Sequence, residues 1–205
     1  MSAFRIAATC LAVAVLAGPA FAAPAPAAAD DVVVRAAGLA MGSLSEFSLI
    51  ADSAAAGGKF AGTPQTGGNL DPPPEDDPNV TFKAQVRGGV PYRCWVRMKV
   101  GAPRGVSKAN RLWVQISNAV DAKGKSVLKP GTASYLTAQG PEQQGWVWVA
   151  CEADPKSPGT KVTFRSNGEV TVRIQAGMEG VGFDQFVLSP AKYLEKAPAS
   201  AVVAP

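Results

Sequence analysis

The sequence predicts an all-β fold, a single-domain jelly-roll β-sandwich. Several short segments alternate apolar and polar residues with a period of two, which is typical of strands that bury one face. Glycine- and proline-rich turns separate these segments. Beyond the N-terminal leader, no long stretch combines helical periodicity with capping residues. About eight short strands are therefore expected.

The N-terminal residues predict a secretory signal peptide of bacterial type at residues 1–22. Arg5 precedes an apolar run over residues 6–16, and residues 20–22 (AFA) are a small-residue cleavage signal. The apolar run is too short to span a bilayer. Cleavage there gives an exported chain, in the periplasm or the medium, that begins with a flexible Ala/Pro linker at residues 23–31.

The β-sandwich domain is expected over residues 32–194. Residues 32–35 predict a first strand and residues 46–50 a second one. Residues 62–79 hold too many prolines, glycines and acids to join a sheet. They are therefore expected to form a long loop that is able to cover a binding surface.

The strand pattern is strongest after residue 79. Residues 161–165 and 169–176 are joined by Ser-Asn-Gly, which predicts a hairpin. Residues 195–205, rich in Ala, Pro and Val, are expected to be a disordered tail. The strands predicted in this half are residues 80–86, 92–100, 111–117, 146–151, 161–165, 169–176 and 183–188.

The tryptophans all take the parity opposite to the aliphatic residues of their strands, so the aliphatic face can build the core. A sheet face that carries indole rings beside cationic and amide groups is a candidate sugar-binding surface. The rings cover sugar C–H groups, and the polar side chains bond the hydroxyls. The alternative is that loops cover these rings. The predicted ligand-binding residues are Trp95, Trp113, Trp146, Trp148, Arg97, Arg111 and Gln115.

Two cysteines lie outside the leader, Cys94 and Cys151. Both share the parity of the aliphatic residues around them, so both point toward the core. In an exported protein an even pair is typical of a disulfide. We therefore predict a disulfide between Cys94 and Cys151, with two buried free thiols as the alternative.

Composition excludes several classes of function. The net charge is +4 and the basic residues are spread along the chain, so nucleic-acid binding is not expected. No segment after the leader is apolar enough to span a membrane. The chain has no histidine, which excludes Ser-His-Asp and Cys-His catalysis and histidine-based metal sites. The carboxylates form no recognisable glycosidase pair, so a non-catalytic protein without catalytic residues is predicted.

Several segments together resemble a known family. In order they are ADSAAAGG at 51–58, PYRCWVR at 91–97, WVQIS at 113–117, GWVW at 145–148, VTVRIQ at 170–175 and GFDQFVLSP at 182–190. The series resembles galactose-binding-like jelly-roll modules of secreted bacterial proteins. It is similar, more distantly, to carbohydrate-binding module families six and thirty-five. The resemblance covers residues 32–194 and implies a β-sandwich that binds a glycan at strand faces or loop tips without catalysis.

The resemblance also bears on metal binding. Those modules often carry a structural calcium, which is held by an Asp of the last strand and an acidic pair of an early strand. Asp184 fits the late position, but Val34, Arg35 and Ala36 stand where the early acids belong. Calcium is therefore doubtful here, no other cofactor is expected, and Arg35 is the candidate cation to pair with Asp184.

The predicted function is thus to hold a polysaccharide or cell-wall glycan through aromatic and Arg/Gln side chains. The alternative is a structural or protein-interaction module with the same fold and no sugar ligand, for which a protein partner is expected instead. Whether the tryptophan face is open or covered by residues 62–79 separates these two functions.

Overall fold

The structure is a computed structural model that describes residues 30–63, 68–100, 110–141, 145–178 and 180–203. The predicted signal peptide and most of the predicted linker lie outside these residues. No helix in the described ranges is long and apolar enough to cross a membrane. Short 3-10 turns occur at Ala36–Gly38 and Met41–Ser43.

The described chain is built mainly of strands. They are β1 (Val32–Arg35), β2 (Leu44–Ser45), β3 (Ser48–Ala51), β4 (Lys59–Gly62), β5 (Asn79–Val86), β6 (Pro91–Val100), β7 (Arg111–Ile116), β8 (Ala119–Val120), β9 (Leu136–Gln139), β10 (Gly145–Glu152), β11 (Lys161–Phe164), β12 (Gly168–Ala176) and β13 (Gly182–Ser189).

The strands form two antiparallel layers. Sheet A runs β3–β4–β13–β6–β10, with β1 also beside β13, and with β11 beside β6 and β8 beyond it. Sheet B runs β2–β5–β12–β7–β9–β10. The two layers enclose one apolar core, so the chain folds as the single-domain jelly-roll sandwich that the sequence predicts.

Alternation along the strands fills this core. Val96 and Met98 of β6, Val114 of β7 and Val172 of β12 are all completely buried between the layers. Their sequence neighbours lie on the outer faces because side chains along a strand alternate between the two sides of a sheet. The predicted parity of the central strands is therefore confirmed.

Strand β10 joins the two layers. Residues 145–150 pair with β6 of sheet A, whereas Cys151 and Glu152 pair with Ala138 and Thr137 of β9 in sheet B. A single strand thus leaves one sheet and enters the other.

The predicted hairpin between residues 161–165 and 169–176 is wrong. Strand β11 pairs with β6 and β8 in sheet A, but β12 pairs with β5 and β7 in sheet B. The connection is a corner between layers, against which Gly88 packs tightly. A Cβ on Gly88 would lie 2.5 Å from the Cα of Ser166, and the Gly88 N–H donates to Asn167 Oδ1 at 2.8 Å. The Ser-Asn-Gly sequence marks a tight turn without determining which strands it joins.

Four strands were not predicted, and β4 and β9 are the longer ones. Strand β4 is short, contains the small residues Ala61 and Gly62, and adjoins the proline-rich loop. Strand β9 lies in a polar stretch and has only Leu136 and Ala138 to show alternation. The other two, β2 and β8, have two residues each. Such segments carry too little pattern to be recognised.

The C-terminal residues differ from the sequence expectation of disorder. Residues 190–203, which we call the C-terminal strap, lie against the outer face of sheet A. The strap bonds to side chains of the sheet through its main chain and joins no strand ladder. A strand pattern is therefore absent from its sequence.

Candidate functional site

The tryptophans lie on the outer faces of the sandwich, as their parity predicts, and none belongs to the core cluster between the sheets. Trp95 on sheet A is 7% exposed and Trp113 on sheet B is 3% exposed. Trp146 and Trp148 are half-buried. Other parts of the chain cover these faces, so Trp95 and Trp113 have almost no surface to offer a ligand.

The strap covers two of the tryptophans on sheet A. The Trp95 Nε1–H donates to the carbonyl of Tyr193 at 2.7 Å, and the Arg93 guanidinium lies 5.3 Å from the Trp95 ring centroid. The Trp148 Nε1–H donates to the carbonyl of Ser200 at 2.9 Å. These indoles therefore hold a segment of their own chain.

Trp146 lies in a compact group of aromatic and charged residues, which we call the Trp146 cluster: Trp146, Phe60, Arg97, Lys99 and Asp52. Phe60 packs edge-on against Trp146 with centroids 5.5 Å apart, and Arg97 lies 5.0 Å from the Trp146 centroid. Asp52 Oδ2 accepts from Lys99 Nζ at 2.6 Å and from Trp146 Nε1 at 3.3 Å. The hydrogen bond from Lys99 lowers the pKa of Asp52. The polar groups of the cluster are thus largely satisfied by one another.

Asp184 is completely buried next to this cluster. Its Oδ2 accepts from Arg97 Nη1 at 2.5 Å and from the Ala56 N–H at 2.6 Å. Burial raises the pKa of Asp184, while the Ala56 N–H and Arg97 act in the opposite direction. The predicted pairing of Arg35 with Asp184 is therefore wrong, because Arg97, on the neighbouring strand, provides the cation.

The two carboxylate oxygens of Asp184 differ: donors occupy Oδ2, whereas Oδ1 is buried without a described hydrogen-bond partner. A calcium ion needs several oxygen ligands, but the described partners of Asp184 Oδ2 are a guanidinium and a backbone N–H, both donors. Within the described ranges, no three acidic or cysteine side chains come together in a way that could hold a metal ion.

Sheet B carries a second covered network around Gln115. Gln115 is 1% exposed, and its Nε2 donates to the carbonyls of Thr132 at 2.6 Å and Ser134 at 3.1 Å. Its Oε1 accepts from Arg173, whose other guanidinium nitrogen bonds Asp76 at 3.0 Å. Gln115 therefore fixes a loop onto the sheet and is not available to a ligand.

The proline-rich loop takes part in covering sheet B. The Gln175 Nε2 donates to the carbonyl of Asp71 at 2.8 Å, and Gln175 pairs with Trp113 across strands β12 and β7. Asp71 and Asp76 of the predicted loop 62–79 thus lie against sheet B, close to Trp113, whereas residues 64–67 lie outside the described residues. On sheet A, the strap and residues 52–58 form the cover.

Arg111 lies at the start of β7 and is half-buried. Its aliphatic stem crosses Gly177 so closely that a Cβ there would lie 2.1 Å from the Arg111 Cγ. The aliphatic part of the Arg111 side chain is therefore packed directly on the backbone of Gly177.

An open cleft of about 600 Å³ lies beside Tyr135, where sheets A and B meet at one end of the sandwich. Its polar lining comes from Asp121, Ser134, Thr160 and Lys161. Tyr135 is half-buried, with its ring centroid 6.0 Å from that of Trp113. The apolar floor includes Val120, Leu128, Leu136 and Val162. We call this site the Tyr135 cleft.

The backbone of the Tyr135 cleft is held in an unusual conformation. Leu128 has φ 59°, in the left-handed region that a branched side chain rarely adopts. Its N–H donates to Ser134 Oγ at 3.1 Å, and its carbonyl accepts from the Ile116 N–H at 2.8 Å. These bonds hold the strained residue in place and shape the floor of the cleft.

Sequence reasoning missed the Tyr135 cleft. Tyr135, Asp121 and Lys161 come from three separate loops and strands, and no spacing in the sequence connects them. The available signal was a lone aromatic residue, Tyr135, within a Ser/Thr-rich turn region.

Cys94 and Cys151 are completely buried and are free thiols in the structure. Both face the core, as their parity predicts. Burial and a hydrogen bond with Cys151 raise the pKa of the Cys94 thiol well above its ordinary value. The two sulfurs are therefore neighbours, but the predicted disulfide is not formed in the structure.

No protein-family model matches the chain, and no curated protein matches it either. Solved structures do resemble it. A GH26-CBM35 β-(1,4)-mannanase from Podospora anserina is 13% identical with a TM-score of 0.50, over 83% of this chain and 29% of the mannanase chain. This similarity concerns the fold alone, and the chain spans less than a third of the mannanase.

Two further matches are separate carbohydrate-binding modules. The C-terminal CBM6 of the laminarinase LamC from Zobellia galactanivorans is 11% identical with a TM-score of 0.49, over 78% of this chain and 99% of the module. A module of the Cellvibrio mixtus lichenase 5A, solved with cellotriose, is 14% identical with a TM-score of 0.46, over 77% of this chain and 95% of the module.

Proposed function

We propose that the protein is a secreted, non-catalytic carbohydrate-binding module that holds a polysaccharide or cell-wall glycan in the Tyr135 cleft. The observation that carries this proposal is the composition of the cleft. It combines a half-buried aromatic ring with hydroxyl, carboxylate and ammonium groups above an apolar floor. A volume of about 600 Å³ is within the usual range of small-molecule sites and leaves room for one or two sugar rings.

The chemistry of the lining suits a neutral sugar. The Tyr135 ring supplies an apolar plane for C–H groups, and its phenol oxygen both donates and accepts hydrogen bonds. Lys161, whose ammonium also pairs with Glu195 at 2.7 Å, would donate to sugar hydroxyls, and Asp121 would accept from them. Because one acid and one base are present, a neutral ligand is favoured over a strongly charged one.

The fold supports the same class of ligand. The mannanase, whose name includes a CBM35 module, shares the sandwich architecture, and the chain itself has no histidine for the common hydrolytic centres. Two well-placed carboxylates would still suffice for glycosidase chemistry. Glu152 and Asp184, however, each pair with an arginine in a separate place.

Most of the residues that the sequence predicts to bind ligand lie outside the Tyr135 cleft. Trp95, Trp113 and Gln115 are buried, and Trp95 and Gln115 bond segments that cover the sheets. Trp146 and Trp148 keep partial exposure, so the Trp146 cluster is the second candidate site.

Blocking the cleft tests the assignment. Ala133 is an exposed lining residue, so Ala133→Trp fills the cleft without removing a described hydrogen bond. We expect at least a tenfold loss of affinity for any soluble glycan that a broad panel identifies, measured by calorimetry. Ala40→Trp, at an exposed residue outside the lining, is the matched control and should bind normally.

Two results would contradict this proposal. If no glycan of the panel binds the folded wild-type protein, the module does not bind sugar and the protein-interaction alternative is favoured. If Trp146→Ala abolishes binding but Ala133→Trp does not, the glycan lies at the Trp146 cluster and the cleft is not the site.

Export and metal independence are parts of the same proposal. Export is supported by the leader pattern of residues 1–22. N-terminal sequencing of the protein recovered outside the cytoplasm should begin after residue 22, and an intact leader there would contradict it.

Metal independence is supported by the Arg97–Asp184 pair. A chelator should leave the melting temperature unchanged, whereas a calcium-dependent rise that Asp184→Ala removes would contradict it.

A further inference from the structure

Two loops that line the Tyr135 cleft are rich in exposed lysines. Residues 121–135 and 153–160 supply most of the cleft lining, and together they carry four lysines and two acids. All four lysines are exposed. They stand within a few residues of the lining and therefore lie at the margin of the cleft. We call them the lysine rim: Lys123, Lys125, Lys129 and Lys156.

The rim lysines differ from other lysines of the protein in their partners. Lys83, Lys99 and Lys161 each have a carboxylate oxygen within 3.2 Å. Within the described ranges, no rim lysine forms an ion pair. The basic residues are spread along the sequence, but the fold gathers several that lack an acidic partner beside one cleft.

The two acids of these loops are engaged by the backbone. Asp121 Oδ1 accepts from the N–H groups of Lys123 and Lys125, both at 2.9 Å. Asp154 Oδ1 accepts from the N–H of Lys156 at 2.9 Å. Both carboxylates close turns of their own loops, and their described partners do not include a rim ammonium group.

The backbone of the rim is held in place from two sides. Gln115, which is 1% exposed, donates to the Lys129 carbonyl at 3.2 Å. Arg165 Nη2 donates to the Gly124 carbonyl at 2.9 Å, and Arg165 is itself exposed. Cations of one sign are therefore kept close together on a fixed backbone although they repel one another. This arrangement favours an anionic ligand over a neutral one at the margin of the cleft.

The densest negative charge lies at the other end of the sandwich. Residues 71–77 carry four acids and no base, and they precede β5. Val162 of the cleft pairs with Tyr92, whose hydroxyl accepts from the N–H of Arg87, just after β5. The field of the protein therefore attracts an anionic polymer toward the cleft end and repels it from the opposite end.

The interior of the cleft, in contrast, is balanced in charge. Its lining holds Asp121 and Lys161, and Lys161 also pairs with Glu195. A sugar ring inside the cleft meets no excess of either sign, whereas a substituent or a neighbouring ring outside it meets the rim. The two regions together favour a chain that places an uncharged ring in the cleft and acidic groups beside it.

We propose that the ligand of the Tyr135 cleft is an acidic polysaccharide, whose carboxylates lie against the lysine rim while an uncharged ring occupies the cleft. This inference rests on the proposed glycan binding and specifies the class of glycan. Lysine is a compact, flexible cation with three donors, which suits carboxylates whose spacing varies along a chain. Because the rim is exposed, its contribution is screened by salt.

The test compares each acidic glycan of a panel with its own carboxyl-reduced form, which keeps the chain and loses the charge. The panel includes glucuronoxylan and hyaluronan oligosaccharides, and calorimetry measures the affinities. At an ionic strength of about 20 mM, we expect wild type to bind at least one acidic glycan about tenfold more tightly than its reduced form. At about 0.5 M salt the ratio should fall below about three, because the Debye length shortens from roughly 20 Å to roughly 4 Å.

Removing two rim charges tests the assignment to the lysines. Lys123→Gln combined with Lys125→Gln leaves the described bonds of both residues intact, since their backbones make them. This variant should bind the acidic glycan at least about threefold more weakly and the reduced glycan as wild type does. The matched control is Lys59→Gln combined with Lys83→Gln, which removes the same charge at exposed positions outside the cleft and should bind both forms normally. Melting temperatures verify that both variants are folded.

Equal affinity of wild type for every acidic glycan and its reduced form overturns this inference and leaves the proposed glycan binding standing. A preference for the acidic form that survives Lys123→Gln with Lys125→Gln also overturns it. If no glycan of either form binds, both proposals fail. Binding to vesicles of phosphatidylglycerol and phosphatidylcholine, without binding to any acidic glycan, would assign the rim to a membrane surface and overturn the inference as well.

Discussion

At the level of single residues, burial decides whether a charged group stabilises this protein. Arg93 and Glu152 have side chains that are only 8% and 7% exposed, and they form a bidentate ion pair between β6 and β10. Glu152 also accepts from the backbone N–H groups of Gly159 and Thr160. Burial alone would raise the pKa of Glu152, but these hydrogen bonds lower it below its usual value.

This geometry predicts a pH-dependent effect of Glu152→Gln. The pKa of Glu152 is lower in the folded state than in the unfolded state, where it is about 4.3. The ionised carboxylate therefore stabilises the fold at pH values above about 4.3, and this stabilisation is lost as the pH falls through the folded-state pKa. At pH 7 the variant should be about 3 kcal/mol less stable, since Arg93 is left buried without its partner. Urea denaturation at pH 7 and near pH 3 measures this. An equal loss at both pH values would contradict the assignment.

The two cysteines give a second prediction at this scale. Cys94 and Cys151 are buried neighbours, and the proposed export would place their folding in an oxidising compartment. We expect the exported protein to carry a disulfide, which closes a long loop and adds roughly 4 kcal/mol of stability. Intact mass should rise by about 2 Da on reduction, and Cys94→Ala should lower stability only in the oxidised protein. Two titratable thiols in the exported, unfolded protein would show that they remain free.

Sequence parity predicted the direction of side chains but not their exposure. Trp95, Trp113 and Gln115 are on the outer faces, as expected from alternation. Alternation is a property of one strand, whereas exposure depends on which distant segment crosses it. The contacts of Trp95 with Tyr193 and of Gln115 with Thr132 join residues that no local pattern relates. The candidate site is therefore the Tyr135 cleft, which the tryptophan pattern does not predict.

At the level of elements, close approach of strands explains two of the glycines. Gly62 of β4 pairs with Gly182 of β13, and the ring of Phe60 lies over both. A Cβ on Gly182 would lie 2.5 Å from the Ala61 carbonyl oxygen and 2.7 Å from the Phe60 ring. Because one neighbour is a backbone atom, the strands themselves must move to admit a methyl group. Glycine at position 182 therefore allows β4 to join sheet A.

We predict that Gly182→Ala destabilises the protein by about 2 kcal/mol through overpacking. The matched control is Gly42→Ala, where a Cβ meets nothing within 4 Å and φ is not in the left-handed region. The control should change the free energy of unfolding by less than about 0.5 kcal/mol. Urea denaturation of both variants measures the difference. Equal effects would show that the pairing of β4 with β13 does not depend on the glycine.

Elements with strong alternation were predictable, and those that tertiary contacts define were not. Strands β5, β6, β7, β10 and β12 repeat the pattern over at least six residues each. Strand β9 has four residues and is fixed by pairing with β7 and β10. The residues between β11 and β12 predict a hairpin because the same turn residues serve both a hairpin and a corner between layers. Which partner a strand selects is decided by the packing of the layers.

At the level of the whole molecule, β10 belongs to both sheets. It pairs with β6 through residues 145–150 and with β9 through Cys151 and Glu152, so neither sheet can lose it alone. The shared core has the same consequence, because Met98 of sheet A and Val114 of sheet B belong to one apolar cluster. The number of strands and the turn content predict the sandwich, but nothing in the sequence predicts that β10 is shared by both sheets.

The shared strand predicts a single unfolding transition. Trp113 reports on sheet B, whereas Trp95, Trp146 and Trp148 report on sheet A. Fluorescence and circular dichroism should therefore give the same denaturation midpoint in urea. Trp113→Phe, which leaves only sheet A reporters, should keep coincident midpoints even if its stability falls. If the sheets unfold separately, wild type will show two fluorescence transitions and Trp113→Phe will lose one, which would mean that β10 does not couple the layers.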